Sequence, residues 1–169
     1  YAEITISIPA YLRQGIPLAD ICTCLDEATK FPGIRVQWIV DPVRDFGPEA
    51  GLSLLNDIIE LRCRSIAGIT LGGSERFFPP ARFTELYATA QRNGLHRTIH
   101  AGEGLGPPSV WDAIQLLGVE RVGHGVRAIE DPSLVAYMAE HCIPIEVCPT
   151  SNIRTGLYKS YADHPLKAL

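Results

Sequence analysis

The sequence predicts an α/β protein, a stretch of an eight-stranded (β/α) TIM barrel, and three observations point there. Six short apolar, β-branched runs alternate strictly with segments of helical spacing, which implies a parallel sheet with right-handed crossovers. Nearly every run ends in polar or reactive residues, the pattern of a barrel whose chemistry sits at the C-terminal ends of its strands. No Gly-rich phosphate loop follows the first run, where a doubly wound nucleotide-binding sheet would carry one.

Strands are expected at residues 3–8, 34–40, 66–71, 97–100, 121–124 and 143–148, each too short for a helix and each followed by turn residues. Between them, apolar residues recur every three or four positions: Ile21, Leu25 and Ala28; Leu52, Leu55 and Ile59; Phe83, Leu86 and Ala90; Val110, Ile114 and Leu117; then Leu134, Val135 and Met138. Pro17, Pro48, Pro80, Pro108 and Pro132 mark the helix starts, where a missing N–H does no harm, and Asp131 is placed to cap the last of these. Gly94 and Gly118 stand where C-terminal caps belong, and a final helix is expected from about Asp163. No linker, low-complexity tract or charge run divides the chain, so residues 1–169 read as one domain.

Composition narrows the function classes. With 46% hydrophobic and 20% charged residues and a net charge of -4, the chain is a globular one rather than a disordered one. Without a Lys/Arg run it offers no footprint for a nucleic acid polymer, and without an apolar stretch of roughly 20 residues it offers no span for a membrane. Five scattered cysteines, Cys22, Cys24, Cys63, Cys142 and Cys148, read as reduced and mostly buried thiols of a cytoplasmic protein, with Cys148 in a packing role.

The candidate chemistry lies at the strand ends. These are Asp41 and Arg44, Gly72 to Glu75, His100 to Glu103, His124, and Pro149 to Asn152. His100 closes an apolar strand and Glu103 follows across Ala101-Gly102, so an imidazole suited to a metal stands near a carboxylate suited to move protons. His124 ends the next strand between Gly123 and Gly125, a setting that leaves the ring open to a ligand. His96, His141 and His164 read as structural, and Trp38 and Trp111 as packing residues. The stretch Gly102-Glu103-Gly104-Leu105-Gly106 departs from the spacing of dinucleotide and P-loop motifs and is not read as a phosphate loop.

Three segments in order, 98–103 (Thr-Ile-His-Ala-Gly-Glu), 121–125 (Arg-Val-Gly-His-Gly) and 146–152 (Glu-Val-Cys-Pro-Thr-Ser-Asn), resemble the adenosine deaminase family of the metal-dependent amidohydrolases. Residues 68–75 and 164–166 resemble the same family, so the likeness spans essentially the whole chain. Residues 1–5, 38–41 and 44–47 resemble most the members acting on aminodeoxyfutalosine. The resemblance implies a zinc-dependent hydrolytic deaminase whose small-molecule partner is a purine nucleoside. It matches His100 to a zinc ligand, and Glu103 to the acid that protonates the purine at N1. It matches His124 to the group that orients or deprotonates the zinc-bound water, and Gly73 to a backbone donor to the purine. The other large class of zinc deaminases carries H-x-E with P-C-x-x-C, and neither occurs here.

The resemblance also implies absences. The family's first strand supplies His-x-His and its last supplies an Asp ligand, and neither has a counterpart in this chain, leaving one of four protein ligands. The expectation is an internal piece of a longer protein holding strands two to seven, with the first and eighth missing, inactive alone and with exposed strand edges. Two alternatives stand beside it: another metal-dependent amidohydrolase, and a shortened, non-catalytic binding module.

Overall fold

The computed structural model describes residues 1–169. Six strands form one sheet: β1 (Ala2–Ile6), β2 (Val36–Val40), β3 (Ile66–Ile69), β4 (His96–Ala101), β5 (Arg121–His124) and β6 (Ile145–Glu146). Their spatial order is their chain order and every neighbouring pair is parallel. A doubly wound sheet reverses direction at a switch point, and this one does not.

Neighbouring strands stand about 4.8 Å apart, so β1 and β5 would be about 19 Å apart in a flat sheet. Instead Arg121 of β5 reaches Glu3 of β1 at 2.6 Å. The sheet therefore curls on itself as an incomplete (β/α)8 barrel, with that ion pair spanning the N-terminal end of its lumen.

The helices are α1 (Ile8–Leu12), α2 (Leu18–Ala28), α3 (Pro48–Leu61), α4 (Thr84–Arg92), α5 (Pro107–Gln115), α6 (Pro132–Glu140) and α7 (Pro149–Arg154). Proline opens α3, α5 and α6 at the first helical position, where its fixed φ is already helical. Asp131 caps α6 by accepting from the Ser133 and Leu134 amides. Leu86, Tyr87 and Ala90 of α4 are buried against Ile69, Leu71, Ile99 and Val122 in the larger core. Each such Leu or Ile contributes about 1.5 to 3 kcal/mol when fully withdrawn from water. A second core under α2 and α3 gathers Ile8, Ile21, Leu25, Val40, Leu54, Ile58 and Ile66. Trp38 and Trp111 pack as expected, with their indole N–H groups donating to the Leu25 carbonyl and the Asp131 carboxylate.

Several expectations are corrected. The first strand stops at Ile6 because the chain turns at Ser7 into α1, burying Ile8 completely. The sixth strand shrinks to two residues between Pro144, which has no N–H to give, and α7. The expected final helix is two short 3-10 turns, Tyr161–Asp163 and Pro165–Lys167. Of the five free cysteines only Cys22 is buried and Cys63 half-buried. Cys24 faces solvent because two residues along a helix rotate it by about 200° from Cys22. Cys142 lies in a turn, and Cys148 is exposed beside the edge strand rather than packed.

Candidate functional site

The C-terminal strand ends present His100 from β4, Glu103 from the β4–α5 loop, and His124 from the end of β5. Because α7 begins almost immediately after β6, Asn152 is carried back over the same end and is completely buried there. The His100 and His124 rings meet edge to face with centroids 5.0 Å apart. Burial, then the neighbouring His124, push the His100 pKa down, which favours a neutral imidazole. His124 sits at φ 60, a left-handed conformation unusual for a residue with a Cβ and typical of strained functional positions. Its flanking glycines do not leave the ring open: His124 is buried, with only 7% of its surface exposed.

Hydrogen bonds fix the tautomers in sequence. The Leu166 amide donates to Nδ1 of His164, so Nε2 of that ring carries the proton and donates to Oδ1 of Asn152 at 3.1 Å. The Asn152 amide nitrogen then faces His124, donating to Nδ1 at 3.0 Å and to Oε1 of Glu103 at 3.3 Å. His124 is left with Nε2–H directed at Oε2 of Glu103, 3.5 Å away. His164, expected to be purely structural, is thus the start of a relay that orients His124. Its signal in the sequence was the resemblance of residues 164–166 to the family, and nothing local showed that its ring would reach Asn152.

Around this cluster the strand-end residues divide by role. Arg44 points inward and is fully buried. Its guanidinium donates to the carbonyls of Phe78 (3.0 Å), Leu71 (2.9 Å) and His100 (2.5 Å), tying the ends of β3 and β4 together. Asp41 accepts from the Val43 and Gly72 amides. Gly73, at φ 98, is exposed at the rim, and a Cβ there would collide with the Asp45 carboxylate. It borders a cavity of about 420 Å³ that Ser74, Arg76, Glu103 and Thr155 also line. A second cavity of about 280 Å³, lined by Arg97, Glu120 and Arg121, lies at the opposite, N-terminal end of the strands. The first is the candidate site, because the His100, Glu103 and His124 cluster lies at that end.

His100, Glu103 and His124 thus come together, and Gly73 lines the same cavity as Glu103. They do not make a metal centre by themselves: no three His, Cys, Asp or Glu side chains are grouped to hold an ion. Even the three protein ligands common in catalytic zinc sites are not assembled by these residues. No helix is long and apolar enough to cross a membrane.

Histidines, a carboxylate and a buried amide at the C-terminal end of a parallel barrel define an enzyme-type site on a (β/α)8 scaffold. The family profile described as adenosine deaminase matches residues 1–169, and the chain belongs to that family. It is 42% identical to an adenosine deaminase of Edwardsiella ictaluri, covering 99% of this chain and 51% of the relative. The crystal structure of an adenine deaminase from Arthrobacter aurescens superposes with a TM-score of 0.90 at 32% identity, covering 99% of this chain and 52% of that one. An amidohydrolase from Burkholderia ambifaria, solved with bound Zn, gives a TM-score of 0.82 at 32% identity over 89% of this chain and 43% of its own. The chain spans about half the length of the curated relatives it matches.

Proposed function

We propose that the intact protein hydrolytically deaminates an adenine-bearing nucleoside, water replacing the 6-amino group, which leaves as ammonia, to give the hypoxanthine form. Residues 1–169 are then one part of a single barrel domain. The observation that carries the reading is the Glu103–His124 contact beside the cavity, with Asn152 bonded to both. Glu103 passes a proton to N1 of the purine ring as charge builds there. His124 orients the attacking water through Nε2–H, the role its tautomer supports, rather than removing a proton from it. The Gly73 amide donates to the purine. His100 is the single ligand this chain contributes to a zinc ion, the other ligands coming from outside these 169 residues.

The test is ammonia release and loss of the adenine chromophore by the intact, zinc-supplied protein with adenosine, adenine and aminodeoxyfutalosine. Turnover of adenosine or aminodeoxyfutalosine is expected, and turnover of adenine alone would overturn the nucleoside reading. A folded, metal-loaded protein inert toward all three would overturn the reading. Residues 1–169 alone are expected to bind no stoichiometric zinc and to show no turnover.

A further inference from the structure

Glu75 follows β3 by six residues and is buried, with 6% of its surface exposed. Its carboxylate is surrounded by donors from the loop between β4 and α5 and from the first turn of α5. Oε1 accepts from the Gly102 amide at 2.8 Å and from the Ser109 hydroxyl, and Oε2 from the amides of Glu103 (3.2 Å), Gly104 (2.5 Å) and Leu105 (2.9 Å). Four consecutive backbone N–H groups converging on one point form an anion-binding nest. Here the anion is a side chain of the protein itself, so the four amides of residues 102–105 are already taken and not free for a phosphate.

The geometry points to Glu75 as the positioning residue for Glu103, an inference that rests on the reading of Glu103 as the proton-transfer group. Glu75 holds the amide of Glu103 from one side. The Glu103 carboxylate is held on the other by Asn152 (3.3 Å) and Thr155 (3.4 Å). The loop turns at Gly102, which is at φ 70, and a Cβ there would lie 2.5 Å from Cγ2 of Val110. Arg76, next to Glu75, adds a bond from Nε to the Gly104 carbonyl at 3.1 Å. An ionised carboxylate only accepts, whereas an amide in its place would aim an NH2 at N–H donors. Glu75→Gln therefore keeps the size of the side chain and removes what the nest needs.

The experiment compares the intact wild-type protein with Glu75→Gln and Ser109→Ala, by amide hydrogen exchange at residues 102–105 and by steady-state deamination below the unfolding temperature. Glu75→Gln is expected to speed exchange at those amides. It should also lower kcat roughly a hundredfold, the penalty of about 1 Å of misplacement, while KM stays within about threefold. Ser109→Ala, which leaves the carboxylate in place, should move both readouts in the same direction by less, and it carries the test if Glu75→Gln fails to fold. Unchanged exchange, or kcat within about twofold of wild type in the folded variant, overturns the inference. A lower unfolding temperature with unchanged kcat shows a merely structural role and also overturns it. Absence of turnover in the wild type sinks the reading of Glu103 instead, and the exchange measurement still decides whether Glu75 holds the loop.

Discussion

The amide nitrogen of Asn152 lies 3.0 Å from Nδ1 of His124, and this contact decides which nitrogen of the imidazole faces Glu103. Its direction is imposed from 14 residues further along the chain, by the Leu166 amide acting through His164. Asn152→Asp would place a second carboxylate beside Glu103 and turn an acceptor toward Nδ1. The His124 proton should move to Nδ1, read directly as exchanged 15N shifts of the two ring nitrogens. Deamination by the intact protein should fall by roughly a hundredfold or more, as for loss of one positioned proton-transfer group. Unaltered ring shifts would break the link between Asn152 and the tautomer.

Arg44→Met removes the donor shared by the Phe78, Leu71 and His100 carbonyls. Burial works against the guanidinium and pulls its pKa down, so part of the loss is offset by relief from desolvation. The Leu71 carbonyl keeps the His100 amide, so the Phe78 and His100 carbonyls bear the loss at about 1 to 3 kcal/mol each, and the net loss should be about 1 to 4 kcal/mol. Urea denaturation of the intact protein measures it, and a variant as stable as wild type would contradict the account.

Gly102→Ala meets both a positive φ and the Val110 methyl. Strain and overlap together should lower stability by about 2 to 4 kcal/mol. Adding Val110→Ala should recover the overlap but not the backbone strain. Full recovery in the double variant would show that φ is unimportant there.

The Asp131 cap is sensitive to acid. The Ser133 hydroxyl first, then the Trp111 indole and the Ser133 and Leu134 amides, hold its carboxyl down to about 2. An unfolded Asp titrates near 3.9. A carboxyl depressed in the fold contributes stability above that value, and the contribution is lost as pH falls toward 2. Asp131→Ala should lower Tm at neutral pH by a few degrees, and the gap from wild type should close as the pH is taken through that window. A gap constant with pH would mean that the capping acts without the charge.

The alternation of short apolar runs and helical stripes made the parallel sheet legible, because burial on both faces of a strand and one face of a helix leaves a period in the chain. Prolines at helix starts and Asp131 were legible for the same local reason. His100, Glu103 and His124 could be picked out because each closes or directly follows a strand. The boundaries of the sixth strand and the short helix α7 were not legible. A run such as Ile143 to Cys148 reads as a strand whether or not a neighbour pairs with all of it, and here Pro144 and Pro149 confine the pairing to two residues.

The sequence by itself determined the element order, the family and the side chains that stand at the strand ends, since these depend on local pattern and motif. Only the tertiary structure decided what those side chains do to one another. Glu75 and Arg44 both read as reactive or hydrogen-bonding groups at strand ends. One proved to be the anion in a nest of amides 27 to 30 residues away, the other a buried clamp on three carbonyls. His164 looked structural and proved to set the orientation of Asn152. A hydrogen bond has direction and short reach, so its partners are fixed by where the folded chain brings donors and acceptors, and no periodicity in the sequence records that.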